Sequence, residues 1–194
     1  MKKQILFITV MAAAVAVVMF ACNTKAGNKK GETDFTNKEL IERGAYLVNI
    51  AVCDDCHTPK KMGPNGPELD MERRFSGYRQ GVPFPKVDTN LIKEGWTLAN
   101  PELTGWAGPW GASFTANITS DETGIGNWTF DQFKKAFQQG KWKGMDNGRP
   151  LMPPMPWQQY SNMTEDDVKA VFAFLKSTKP VKNVEPPIKP LSEL

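Results

Sequence analysis

The chain has 194 residues, of which 40% are apolar and 23% charged, and its 24 Lys/Arg against 21 Asp/Glu give a net charge of +3. That near balance, with no basic stripe, excludes the electrostatic footprint of a nucleic-acid binder. One histidine and three cysteines exclude a zinc site built from two Cys/His pairs.

Residues 1–21 read as a secretory signal. Lys2 and Lys3 make a positive start, and Ile5 to Phe20 is an apolar run broken only by Thr9. Met19-Phe20-Ala21-Cys22 resembles a bacterial lipobox, in which Cys22 becomes the lipidated first residue of the mature protein. The alternative is an uncleaved N-terminal membrane helix. Both place the rest of the chain outside the cytoplasmic membrane. Residues 22–35 are rich in Lys, Gly, Asn and Thr and read as a flexible tether.

A domain is expected over residues 36–180. Its first helix runs from Thr36 to about Ala51, with Thr36 and Glu39 as a capping box and Leu40, Ile41, Ala45, Leu47 and Val48 as an apolar stripe. It leads into Cys53-Asp54-Asp55-Cys56-His57. Cys-x-x-Cys-His is the attachment signature of a c-type haem. Residues three apart share a helix face, so Cys53 and Cys56 can add their thiols to the two vinyl groups of one porphyrin. His57 then supplies the proximal imidazole, and as the lone histidine it is the only candidate. Zinc, a thioredoxin-like redox pair and a structural disulfide are the competing readings. Zinc lacks a second ligand pair, a redox pair lacks the βαβ pattern, and a disulfide leaves the adjoining histidine idle. The cysteine count then closes, with two for haem and Cys22 for lipid, and one motif limits the chain to one haem c.

Residues 58–115 are rich in Gly, Pro and Trp, with no convincing strand or long helix, and are expected to wrap a large rigid apolar group. The six tryptophans suit this, most of them as packing residues. Asn117 to Trp128 is acidic and Gly-rich but lacks calcium-loop spacing, and reads as a structural loop. A second helix spans Thr129 to Gln139, with Thr129 and Gln132 as capping box, Phe130, Phe133 and Phe137 on one face, and Gly140 as C-cap.

Arg149 to Trp157 contains four prolines and two methionines. Prolines fix backbone torsions, so this loop can hold a sulfur rigidly. A thioether opposite His57 would close the iron and raise its potential. Met152 and Met155 both qualify. A third helix runs from Thr164 to about Ser177, with Val168, Val171, Phe172 and Leu175 at helical spacing and Glu165, Asp166 and Asp167 at its positive end. Residues 181–194 form a Pro-rich extended tail.

This order of haem motif after a first helix, methionine loop and final amphipathic helix resembles the class I c-type cytochromes over residues 36–180. Arg43-Gly44-Ala45-Tyr46-Leu47 resembles the family's first helix, whose glycine lets the last helix cross closely, with Phe172 to Leu175 as the partner surface. Asn117 to Trp128, and Pro154-Met155-Pro156-Trp157 followed by Tyr160, resemble the cytochrome domains of periplasmic alcohol and aldehyde dehydrogenase complexes. Those subunits often hold several such domains, whereas this chain has one motif. The resemblance implies an all-α fold of cytochrome c-like helices around one covalent haem, with long loop-rich insertions. It implies Met155 as the iron ligand, with Met152 as runner-up, and Trp128 or Asn117 as a hydrogen-bond donor to a haem propionate.

The resulting expectation is an electron-transfer protein rather than an enzyme. It would be lipid-anchored on the periplasmic side of a bacterial cell envelope. It would take electrons from a dehydrogenase or quinol-oxidising complex and pass them to a terminal oxidase or reductase. One alternative is a haem subunit fixed within a periplasmic dehydrogenase complex. Another is a haem peroxidase or gas sensor, against which stands the lack of a second histidine for distal acid–base chemistry.

Overall fold

The computed structural model describes residues 36–194. The signal sequence, Cys22 and the tether lie outside the described residues.

Helix α1 (Asn37–Ile50) starts at Thr36. Both halves of the capping box form. Glu39 N–H donates to Thr36 Oγ1 (3.4 Å) and Thr36 N–H donates to Glu39 Oε2 (2.9 Å). A short helix, α2 (Cys53–His57), follows. Further along come α3 (Thr89–Lys93), α4 (Phe130–Gln139), α5 (Trp157–Tyr160) and α6 (Glu165–Lys176). The expected Thr129/Gln132 capping box closes α4, and Gly140 ends it at φ 64°. Left-handed backbone there suits glycine. Thr164 caps α6 by accepting from Asp167 N–H.

Helices α1 and α6 cross in close contact. A Cβ on Gly44 would lie 2.0 Å from the Ala170 carbonyl oxygen and 2.7 Å from Phe174 Cβ. Arg43 Nε donates to Asp167 Oδ1 at 2.9 Å beside the crossing. Leu47 and Val48 of α1 pack on Val168, Val171 and Leu175 of α6, and Phe133 and Phe137 of α4 complete this core. Gly44→Ala should therefore cost about 1–3 kcal/mol or more, because the obstacle is backbone and cannot swing aside. Denaturant unfolding of the purified protein measures this as a lower midpoint with unchanged slope.

The expectation of an all-α fold is overturned. Beside their helices the described residues form two antiparallel sheets with five strands. β1 (Lys60–Gly63) pairs with β2 (Gly66–Leu69). β3 (Leu98–Ala99), β4 (Gly105–Gly108) and β5 (Gly111–Phe114) form the second sheet in that order. These strands are two to four residues long. Gly and Ala supply eight of their eighteen residues and none is Val, Ile or Thr, so the β-branched alternation that marks a strand is absent.

The segment expected only to wrap another group has a small apolar cluster of its own. Phe114 meets Tyr78 at 4.7 Å and Phe84 at 5.4 Å between ring centroids, both edge-on. A Cβ on Gly105 would touch both Tyr78 and Phe84. The tail is extended from Val181 to Pro190, closes in a short 3-10 turn at Leu191–Glu193 where extended chain was expected, and is docked. Lys189 bridges to Ala112 of β5, and Asn183 is buried against residues 76–80.

Candidate haem-attachment site

The site begins where α1 stops. Val52 takes left-handed backbone (φ 50°) and turns the chain into α2, so Cys53, Cys56 and His57 fall on one short helical stretch. Cys53 and Cys56 are free and half-buried. Burial, helped by the Asp54 carboxylate, pushes the Cys53 thiol up to about 12, and burial also raises Cys56. Among the described residues no three His, Cys, Asp or Glu side chains converge on a metal position. Neutral sulfur, as thiol or thioether, bears none of this desolvation cost.

His57 is held at two points. Its Nδ1 lies 2.8 Å from the Ala116 carbonyl oxygen. A carbonyl only accepts, so Nδ1 carries the proton and Nε2 keeps its lone pair. Burial holds the imidazole below its ordinary pKa, and the bond to Ala116 opposes that shift. Its backbone oxygen accepts from Gly77 N–H at 2.8 Å. Gly77 sits at φ 76°, where a Cβ would meet the Thr115 oxygen at 2.3 Å and the Ala116 oxygen at 2.6 Å.

The motif's inner residues hold the turn. Arg74 grips Asp54 with two hydrogen bonds, Nε to Oδ1 at 3.0 Å and a terminal N–H to Oδ2 at 2.7 Å. Arg74 also lies over the Phe75 ring at 4.4 Å. Buried Thr58 donates to Asp54 Oδ1 (2.7 Å) and accepts from Phe75 N–H (3.0 Å). Sequence reasoning missed Asp54, Thr58 and Arg74. The only local signal was a carboxylate inside the motif with an arginine pair twenty residues on.

The methionine loop comes close to this helix. Tyr160, five residues after Met155, donates its hydroxyl to the Ala51 carbonyl (3.2 Å) and stacks on Phe137 at 4.6 Å. Cys53, Ile118, Trp128, Met155 and Tyr160 all pack on the core while remaining half-exposed. Each offers apolar surface at the edge of the core. Met152 is half-exposed too but does not pack on that core. Asn117 is committed elsewhere. Its amide donates to Thr123, Val181 and Asn183, and its oxygen accepts from Thr119. Both ends of that side chain are used within the protein.

Burial, with smaller contributions from Cys53 and Cys56, pushes the Tyr160 hydroxyl up to about 12. An unfolded tyrosine titrates near pH 10. Above that value the unfolded chain sheds the proton while the folded chain keeps it. The contribution is therefore complete below about pH 10 and lost as pH rises through about 12. Unfolding curves from pH 9 to 12 should show this decline, and Tyr160→Phe should flatten it.

A family model for cytochrome c matches residues 41–179. The chain belongs to the cytochrome c family. It is 31% identical over 150 residues to the gluconate 2-dehydrogenase cytochrome c subunit of Pantoea cypripedii, a match covering 76% of this chain and 25% of that protein. With the fructose dehydrogenase cytochrome subunit of Gluconobacter japonicus it shares 27% identity over 177 residues, covering 90% and 29%. With the alcohol dehydrogenase (quinone) cytochrome c subunit of Gluconobacter oxydans it shares 29% identity over 147 residues, covering 75% and 23%. The chain thus spans roughly a quarter of the length of these cytochrome subunits. Membership of the family implies covalent haem c. No helix among the described residues is long and apolar enough to cross a membrane.

Proposed function

We propose that this chain is a one-haem electron carrier of the bacterial cell envelope that receives electrons from a dehydrogenase. The observation that carries the reading is the Nδ1–H bond from His57 to Ala116, which leaves Nε2 as a fixed, unprotonated donor. Bound haem would supply a one-electron iron couple. The chain's residues do the rest. Cys53 and Cys56 would hold the haem as thioethers, and His57 and Met155 would supply the iron's protein ligands. With both ligands in place the iron would have no free position for substrate, which favours electron transfer over peroxidase or gas-sensing chemistry. Trp128, half-exposed where it packs on the core, is the proposed indole donor to a propionate.

The relatives' names support a dehydrogenase partner, with this chain acting as a mobile carrier or as a resident subunit. A terminal oxidase or reductase is the proposed acceptor. Lipid on Cys22 would hold the chain at the periplasmic membrane surface and raise its effective concentration toward membrane partners. Two measurements test this. Optical spectra of protein from an exporting host should show low-spin haem that survives acid–acetone extraction. Extractable colour, or none, would sink the covalent assignment. Cys22→Ser should release the protein into the soluble envelope fraction, and continued retention would favour a membrane helix in its place.

A further inference from the structure

The tip of the methionine loop is poor in backbone donors. Pro150, Pro153, Pro154 and Pro156 have no N–H. Leu151 N–H donates to the Gly140 oxygen (2.7 Å), and Met155 N–H turns back to the Met152 oxygen (3.3 Å). Among the described residues, the hydrogen bond that ties residues 152–155 to another element comes from Ser113. Its hydroxyl donates to the Pro153 carbonyl at 2.6 Å. The same hydroxyl oxygen accepts from Trp110 Nε1 at 3.1 Å, which directs the single hydroxyl proton toward the loop. Ser113 is buried.

The strand bearing Ser113 is fixed on both edges. β4 pairs on one side. On the other, the tail makes a reciprocal pair at Ala112, with Ala112 N–H to the Lys189 oxygen at 2.7 Å and Lys189 N–H to the Ala112 oxygen at 3.0 Å. The tail is itself pinned by Asn183, which donates to the Ser76 (2.7 Å) and Tyr78 (2.8 Å) oxygens and accepts from Gln80 N–H (2.9 Å). Gly77, bonded to His57, lies between the first two of these. The tail thus braces the His57 side and the methionine side together, and it lies beyond the residues that the family model matches.

We infer that Ser113, held by the tail's pairing at Ala112, is a positioning residue for the sixth iron ligand. It keeps the methionine loop closed on the iron. This rests on the reading that a methionine of this loop ligates.

The test is cyanide binding by the ferric, haem-loaded full-length protein. Losing one net hydrogen bond from the closed state should raise apparent cyanide affinity about fivefold in Ser113→Ala. Lys189→Pro removes the N–H at the tail bridge and should shift affinity in the same direction. The double variant should fall short of the product, because both act along one route. Ser113→Thr keeps the hydroxyl and should restore parental affinity. Thr164→Ala, which uncaps α6, should lower the unfolding midpoint without changing cyanide affinity. Parental affinity in Ser113→Ala, or an equal rise in Thr164→Ala, overturns the inference. Met155→Ala and Met152→Ala in the same series separate the two levels. If neither opens the iron, the ligand reading itself fails and the inference goes with it.

Discussion

Met155→Ala is expected to turn a closed, low-spin haem protein into one that takes up carbon monoxide when reduced and cyanide when oxidised. Met155 packs on the core, as Cys53 and Tyr160 do, whereas Met152 does not. Its loop is tied down at both ends, by Leu151 to Gly140 and by Tyr160 to Ala51. If the closed form holds about 99% of the population, removing the sulfur should raise apparent affinity on the order of 100-fold. The reduction potential should fall, since a thioether raises it. A ligand titration and a redox titration of the same sample check both. Should only Met152→Ala produce the change, the assignment within the loop is reversed.

Gly77→Ala is expected to be the most damaging substitution on the proximal side. The new methyl would stand 2.3 Å from one backbone oxygen and 2.6 Å from another, at φ 76°. Left-handed backbone adds about 1 kcal/mol for a non-glycine residue, and backbone overlap at this depth cannot be relieved by a rotamer. The only escape is to move Gly77 away from Thr115 and Ala116. That breaks its bond to His57 and shifts the carbonyl that orients the imidazole. A loss of more than about 3 kcal/mol is expected, with low yield of haem-loaded protein. Gly66→Ala is the comparison: it also has positive φ, but a Cβ there meets nothing within 4 Å. It should cost only the backbone strain. Thermal unfolding and haem content of both variants decide the matter. Equal behaviour would show that strain, and not collision with the Ala116 segment, dominates.

The features legible in the amino-acid sequence were those with local periodic or capping signals. Thr36/Glu39 and Thr129/Gln132 close real capping boxes, and α6 begins after Thr164 as its hydroxyl and acidic first turn indicate. The close approach at Gly44 was visible through family resemblance, though Ala170 is also part of the contact surface. The strands were not legible by periodicity, because Gly105 to Phe114 holds no β-branched residue. A different signal was present. Gly63-Pro64-Asn65-Gly66 and Gly108-Pro109-Trp110-Gly111 share one spacing, with proline second and glycine fourth as tight turns prefer, and each closes a hairpin. The support around the haem motif was illegible for another reason. Asp54 with Arg74, Gly77 with His57, and Asn183 with residues 76–80 are single long-range contacts that carry no periodic or capping pattern.

The α1–α6 crossing joins residues more than a hundred positions apart, as Arg43 and Asp167 illustrate with a separation of 124. Contacts of such high order form late, because a long loop must close before they reward it. If the chain is exported amino end first, Cys53, Cys56 and His57 would emerge well before Ala170 arrives to seal the crossing. Such a lag would leave an interval in which both sulfurs are still hydrated, and the arrival of the last helix would set the deadline for attaching the cofactor.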